Sequence, residues 1–256
     1  LNASKSKSNR DPLYVFCLIG AAMFSAYGLA QDLSPEIRAD VDRRINLQRK
    51  WDEHNNSPGA ELQAVEVLRT NKVVTYELRA KDLPLDRKYE LLILPTMARS
   101  INDLTATGDV EIDKKDGRVL DGPGDVRTLI LPAPAPGEPY RFALVSKDGK
   151  YKAFATVLPN PIEAMEKGCR VRVIRLTPKF ELAFIQFTGF PPQAEISGHG
   201  NSAGEIHDFK VTVNSDGYAD IGILPFKAGK SNGTMDVQAS TPKCAPKVSF
   251  RWGSTE

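Results

Sequence analysis

From about residue 60 to its end, this chain alternates polar and apolar residues in short runs. Each run is closed by glycine, proline, asparagine or aspartate. Neighbouring side chains of a strand point to opposite faces, so a period of two marks a half-buried strand. The runs fall at 62–69, 72–79, 88–94, 104–112, 126–131, 140–146 and 150–158. After a break they resume at 170–176, 180–187, 194–197, 206–213, 218–224, 234–239 and 247–252. Many short strands separated by turn signals predict an all-β chain. Asp148-Gly149 predicts a two-residue hairpin turn with positive φ, and Asp216-Gly217 a tight turn.

Pro159-Asn160-Pro161 interrupts the series, and 162–168 reads as a linker. The 256 residues have room for two domains of about 100–150 residues each. A hydrophobic content of 41% suits packed cores. The expected division is a signal segment at 1–30, a charged helix and linker at 31–58, a first module at 59–160 and a second at 161–256.

The two halves share turn motifs. Asp82-Leu83-Pro84 leads into Tyr89-Glu90-Leu91, and Gly189-Phe190-Pro191 leads into Ala194-Glu195-Ile196. Leu131-Pro132 and Leu224-Pro225 each end a later strand. With seven runs per half, the region from about 60 to 255 resembles bacterial immunoglobulin-like or fibronectin type III-like modules. That resemblance implies two tandem β-sandwiches and no particular activity. It also bears on the cysteines. Cys169 precedes what reads as the first strand of the second module, and Cys244 precedes its last. In an immunoglobulin-like sandwich those strands can run side by side, so the resemblance implies a Cys169–Cys244 disulfide. Two free buried thiols are the alternative.

The N-terminal segment argues for export. Lys5, Lys7 and Arg10 precede an apolar run at 13–30, which ends in Gly28-Leu29-Ala30 before Gln31. A basic start, an apolar middle and a small-x-small exit form a secretory signal, with cleavage expected between Ala30 and Gln31. An uncleaved anchor at 13–30 is the alternative. Without residues 1–30, 34 basic residues lose three and 32 acidic residues lose one, leaving 31 of each. A neutral body favours neither nucleic acid nor an anionic surface, so no nucleic-acid partner is expected.

Ser34-Pro35-Glu36 starts a helix, with Ile37, Val41 and Ile45 on one stripe and Trp51 nearby. Its mixed charges predict a surface helix laid on the first module or a spacer. A helix over 34–54 that docks a partner or lies on a lipid surface is the alternative.

Chemistry-bearing motifs are few. Gly200-Asn201-Ser202-Ala203-Gly204 matches the G-x-S-x-G of hydrolases, without the strand and helix that motif needs around it. His199, His207 and Asp208 flank it, off the spacing of common zinc motifs. Asp113, Asp116, Asp121 and Asp125 sit among turns, without the spacing of an EF-hand loop. No catalytic residue, metal or cofactor is therefore expected. The leading expectation is an exported, non-enzymatic binding or structural module at the cell envelope, with an unknown envelope protein or a glycan as partner. Its candidate recognition loops are 113–125 and 198–205, the latter carrying His199, Asn201 and Ser202, with His207 beside it. Alternatives are a hydrolase or metal-dependent enzyme using 198–208, and an accessory subunit of an envelope complex.

Overall fold

The computed structural model describes residues 34–52, 56–96, 98 and 101–253. The expected signal segment, its Ala30–Gln31 junction and His54 lie outside the described residues. About 52% of the chain is strand and 9% helix, so the protein is all-β.

One helix, α1 (Pro35–Asp52), comes first. Ser34 caps it, its Oγ accepting from Ile37 N at 3.4 Å. The N-terminal β-region then contains β1 (Glu61–Arg69), β2 (Val73–Lys81), β3 (Tyr89–Leu94), β4 (Thr105–Ile112), β5 (Val119–Gly122), β6 (Asp125–Val126), β7 (Thr128–Pro132), β8 (Tyr140–Ser146) and β9 (Lys152–Val157). The C-terminal β-region contains β10 (Ile162–Glu166), β11 (Cys169–Arg175), β12 (Ala183–Thr188), β13 (Glu195–Ser202), β14 (Glu205–Thr212), β15 (Tyr218–Ile223), β16 (Gly233–Ser240) and β17 (Lys247–Trp252).

The strands form four antiparallel sheets. In the N-terminal region the orders are β1-β2-β7 and β6-β5-β4-β3-β8-β9. Both contribute to one core. Leu62, Tyr76, Leu78 and Leu131 come from the three-stranded sheet, and Tyr89, Leu91, Phe142 and Leu144 from the six-stranded one. In the C-terminal region the orders are β10-β11-β12-β15 and β14-β13-β16-β17. They share a second core built on Val171, Ile185, Phe187, Ile196, Val237, Phe250 and Trp252.

Three expectations need correction. The 162–168 linker is instead a strand and its turn: β10 pairs with β11 from Ile162↔Val173 to Glu166↔Cys169. Lys167 and Gly168 both take positive φ and close a two-residue hairpin. Lysine in that position is an uncommon turn signal, and Glu163 and Glu166 mask the strand's apolar alternation. The 113–125 loop holds β5 and the start of β6, short strands too brief for a period to register. The chain turn at Asp148-Gly149 is longer than two residues, with Ser146 N bonded to Tyr151 O and Gly149 N to Ser146 O. Of that dipeptide, only Gly149 takes positive φ.

Candidate functional site

The G-x-S-x-G segment is a hairpin rather than a loop. β13 runs through Ser202, and β14 begins at Glu205. Ala203 and Gly204 make the turn, both at positive φ. Packing accounts for the other glycines. A Cβ at Gly198 would overlap the Phe209 ring, and one at Gly200 would lie 2.7 Å from Met235 Cε. These positions face the core, where partner side chains fill the space above them. Both glycines are therefore steric requirements of a crowded inner face.

Alternation also places the four candidate residues. Ser202 faces inward and is buried. Its hydroxyl donates to the Pro225 carbonyl and accepts from Trp252 Nε1 at 3.0 Å. It thus satisfies a buried indole, a structural role. His199 faces outward and pairs across the strands with Asp208, Nδ1 to Oδ1 at 2.8 Å. Asn201 also lies on the outer side, its Oδ1 accepting from Gly204 N. His207 faces inward opposite Gly200, 3.5 Å from Glu205 Oε1. The two histidines therefore stand on opposite faces of one sheet and cannot share a metal ion. Among the described residues, no group of three histidine, cysteine, aspartate or glutamate side chains could hold a metal. What remains of the recognition loop is an exposed outer face, with His199, Ile206 and Asp208 in a row.

Three of the four aspartates at 113–125 are engaged locally. Asp113 Oδ1 accepts from Lys115 N, Asp116 pairs with Arg118, and Asp121 pairs with Arg127.

Cys169 and Cys244 are bonded, with their Cα atoms 6.3 Å apart. The route differs from the expected one. Cys169 opens β11, the second strand of its region, because β10 precedes it. Cys244 sits in the turn before β17, which belongs to the other sheet. The bond therefore ties a strand of one sheet to the turn that leads into β17 of the other, and both cysteines belong to the core between them.

Sequence reasoning missed a fourth site, the seat of α1. The helix was expected on the first module or as a spacer, yet it lies against both regions. Val41 and Ile45 pack with Ile174, Leu176, Leu182 and Phe184 of the C-terminal region. Leu47 and Trp51 pack with Leu94, Ala98 and Ala143 of the N-terminal region. Trp51 meets Phe154 edge-on, with ring centroids 5.0 Å apart, and donates to Thr156 Oγ1 at 2.7 Å. Arg49 reaches Asp220 at 2.5 Å, and Gln48 accepts from the buried Arg141. Gly222 leaves room for Ile45, whose Cδ1 a Cβ would overlap. A signal for this seat was present in the sequence. Phe142-Ala143-Leu144 and Leu182-Ala183-Phe184-Ile185 are unbroken apolar runs, and a strand buried on both faces needs a cover outside the sheet.

The two regions also touch through the loop at 133–139. Arg175 N donates to Gly137 O at 2.8 Å, and Gly137 N donates to Asn160 O at 2.8 Å. Asn160 Nδ2 donates to Pro134 O at 2.6 Å. The Arg175 guanidinium stacks over Phe180 at 4.5 Å. Burial pulls its pKa below the usual range, opposed by the nearby Glu138 carboxylate. Burial also raises the Tyr140 hydroxyl, with Glu138 adding to the shift.

No family model and no curated protein matches the chain. Among solved structures it is similar to a tetra-tandem repeat in the extending region of a large adhesion protein. Identity there is 10% over 77% of this chain and 50% of that one, with a TM-score of 0.25. It is also similar to the BSP domain of a biofilm-associated protein, at 14% identity over 74% of this chain and 28% of that one, with a TM-score of 0.24. The chain thus spans half or less of either protein's length. TM-scores of this size establish no common fold.

Proposed function

We propose that this protein is an exported, non-enzymatic module with a binding or structural role at the cell envelope. In this reading it is built as two tandem immunoglobulin-like sandwiches at 59–160 and 161–256, behind a signal at 1–30. The observation that carries it is the buried Cys169–Cys244 disulfide. Disulfides form and persist in oxidising compartments and are rare where thiol buffers keep cysteines reduced. A structural role is supported by where polar chemistry goes. Ser202, the candidate nucleophile, is buried and spends its hydroxyl on Pro225 and Trp252. Contact with an envelope protein or a glycan falls to the outer face of β13 and β14, which presents His199, Ile206 and Asp208.

For the accessory-subunit alternative, docking would fall to the exposed face of α1, which includes Ile37. α1 spends Val41, Ile45, Leu47 and Trp51 on its own chain.

Export is tested by expressing the chain with its own N-terminal segment in a bacterial host. Whole cells, and spheroplasts stripped of their outer layers, are treated with a membrane-impermeant protease, and thiols of the denatured, unreduced protein are then titrated. The expected result is digestion of the β-regions from outside, with Cys169 and Cys244 unreactive until reduced. A protease-protected cytoplasmic chain with both thiols free would overturn the proposal.

A further inference from the structure

We infer that α1 is a clasp that fixes the angle between the two β-regions, with the loop at 133–139 as its counterpart. This goes beyond the envelope role and does not depend on export.

Regions joined by a short linker move relative to one another by default, unless the interface between them is large. Here three separate connections span the junction. The first is the linker itself, stiffened by Pro159 and Pro161. Arg69 clamps it, with Nη2 donating to Pro159 O at 2.9 Å and Nη1 to Asn160 Oδ1 at 3.1 Å. The second is the Gly137 contact. Gly137 has φ +70°, and a Cβ there would lie 3.0 Å from Phe180 Cζ and 3.2 Å from Val173 O. The loop therefore seats directly on the backbone of the C-terminal region.

The third connection is α1. Eighteen residues make a rod of about 27 Å, long enough to engage both regions at once. Its contacts divide along its length. Val41, Arg44 and Ile45 engage the C-terminal region, and Arg44 Nη1 also reaches Leu176 O at 3.5 Å. Leu47, Gln48 and Trp51 engage the N-terminal region, while Arg49 reaches back to Asp220. A hinge motion between the regions must break one set of contacts. The linker and the two contacts lie on different elements, so no single rotation relieves all three. Opening the clasp would expose the apolar residues beneath it, including Leu94, Phe154, Ile174 and Phe184.

The test measures the spread of distances between the regions. Spin labels go on Ile130→Cys and Ile206→Cys, exposed positions in the two regions, in the full chain with Cys17→Ser. Double electron–electron resonance is expected to give one narrow distribution. Gly222→Val removes the space for Ile45 without altering the helix and should broaden it. Arg49→Asp and Asp220→Arg should each broaden it, and the double reversal should restore the narrow form. Circular dichroism and an intact disulfide confirm that each variant folds. If Gly222→Val fails to fold, the charge-reversal cycle still decides, because Arg49 is partly exposed. A broad distribution in the parent would overturn the inference. So would variants whose distribution matches the parent's, or a double reversal that stays broad.

Discussion

The two β-regions reach stability by different routes. The C-terminal region has two four-stranded sheets around a core that holds a covalent cross-link between them. The N-terminal region is uneven, with three strands against six, and has no such link among its described residues. Its pairing is interrupted by irregularities at Glu66/Leu68, Leu91/Leu92 and Leu120/Gly122. Bulges bend and twist a sheet but leave residues out of the ladder. Part of the outer face of its large sheet is covered by α1, through Trp51 and Leu47. α1 braces both regions from outside, but only the C-terminal one is also stapled from within. Closure of a core can thus be covalent or can come from a neighbouring element, and the two fail under different insults.

The largest expected effect breaks the staple. Replacing both Cys169 and Cys244 with alanine frees a loop of 75 residues in the unfolded chain. Loop entropy puts the loss at about 4 kcal/mol, borne by the C-terminal region. Urea unfolding followed by Trp252 fluorescence in a Trp51→Phe background should show a lower midpoint. Amide exchange in β2 and β3 should change little. An equal loss in both regions would mean that the staple supports the whole chain.

Breaking the brace should do the reverse. Trp51→Ala removes a buried indole, its edge contact with Phe154 and its bond to Thr156. A cost of about 3 kcal/mol is expected from truncating a buried tryptophan. Hydrogen exchange should quicken first in β8 and β9, while β16 and β17 keep their protection.

The smallest effect sharpens the comparison at two turns. Asp148 accepts from Ser146 Oγ at 2.6 Å and from Lys150 N at 3.2 Å. The Ser146 bond, then that backbone bond and the charge of Arg87, hold its carboxyl below the usual range. The corresponding turn of the C-terminal region uses Asn214, whose Oδ1 accepts from Asp216 N and Tyr218 N at 2.9 Å. A depressed carboxylate stabilises the turn above the ordinary carboxylate range. That contribution disappears as pH falls through the lowered value. Carbon-13 NMR of the Asp148 carboxyl should show a low titration that rises toward normal in Ser146→Ala. The Asn214 side chain carries no titratable proton, so its bonds to the backbone should persist over the same range.

Much of the strand content was legible from alternation. The runs at 62–69, 88–94, 140–146 and 247–252 match β1, β3, β8 and β17 within two residues. β10 was not, because Glu163 and Glu166 hide its pattern and Lys167 closes its turn. The segment at 198–205 misled for a related reason. Its glycines read as loop chemistry, while each answers to a neighbour across the inner face: Phe209 for Gly198 and Met235 for Gly200. A glycine selected for space and one selected for φ look alike until the partner is known.

By itself the sequence determined the all-β class, most strand positions and the start of the helix, and it left the two cysteines at 169 and 244 either bonded or free. What it determined depends on residues close in the chain. Tertiary structure alone decided that the disulfide joins two sheets, that His199 and His207 face apart, and that α1 spans both regions. Each of those facts relates residues brought together only by the path of the chain, as with Arg49 and Asp220, 171 positions apart. Local alternation says which face of a strand is apolar; only packing says what covers it.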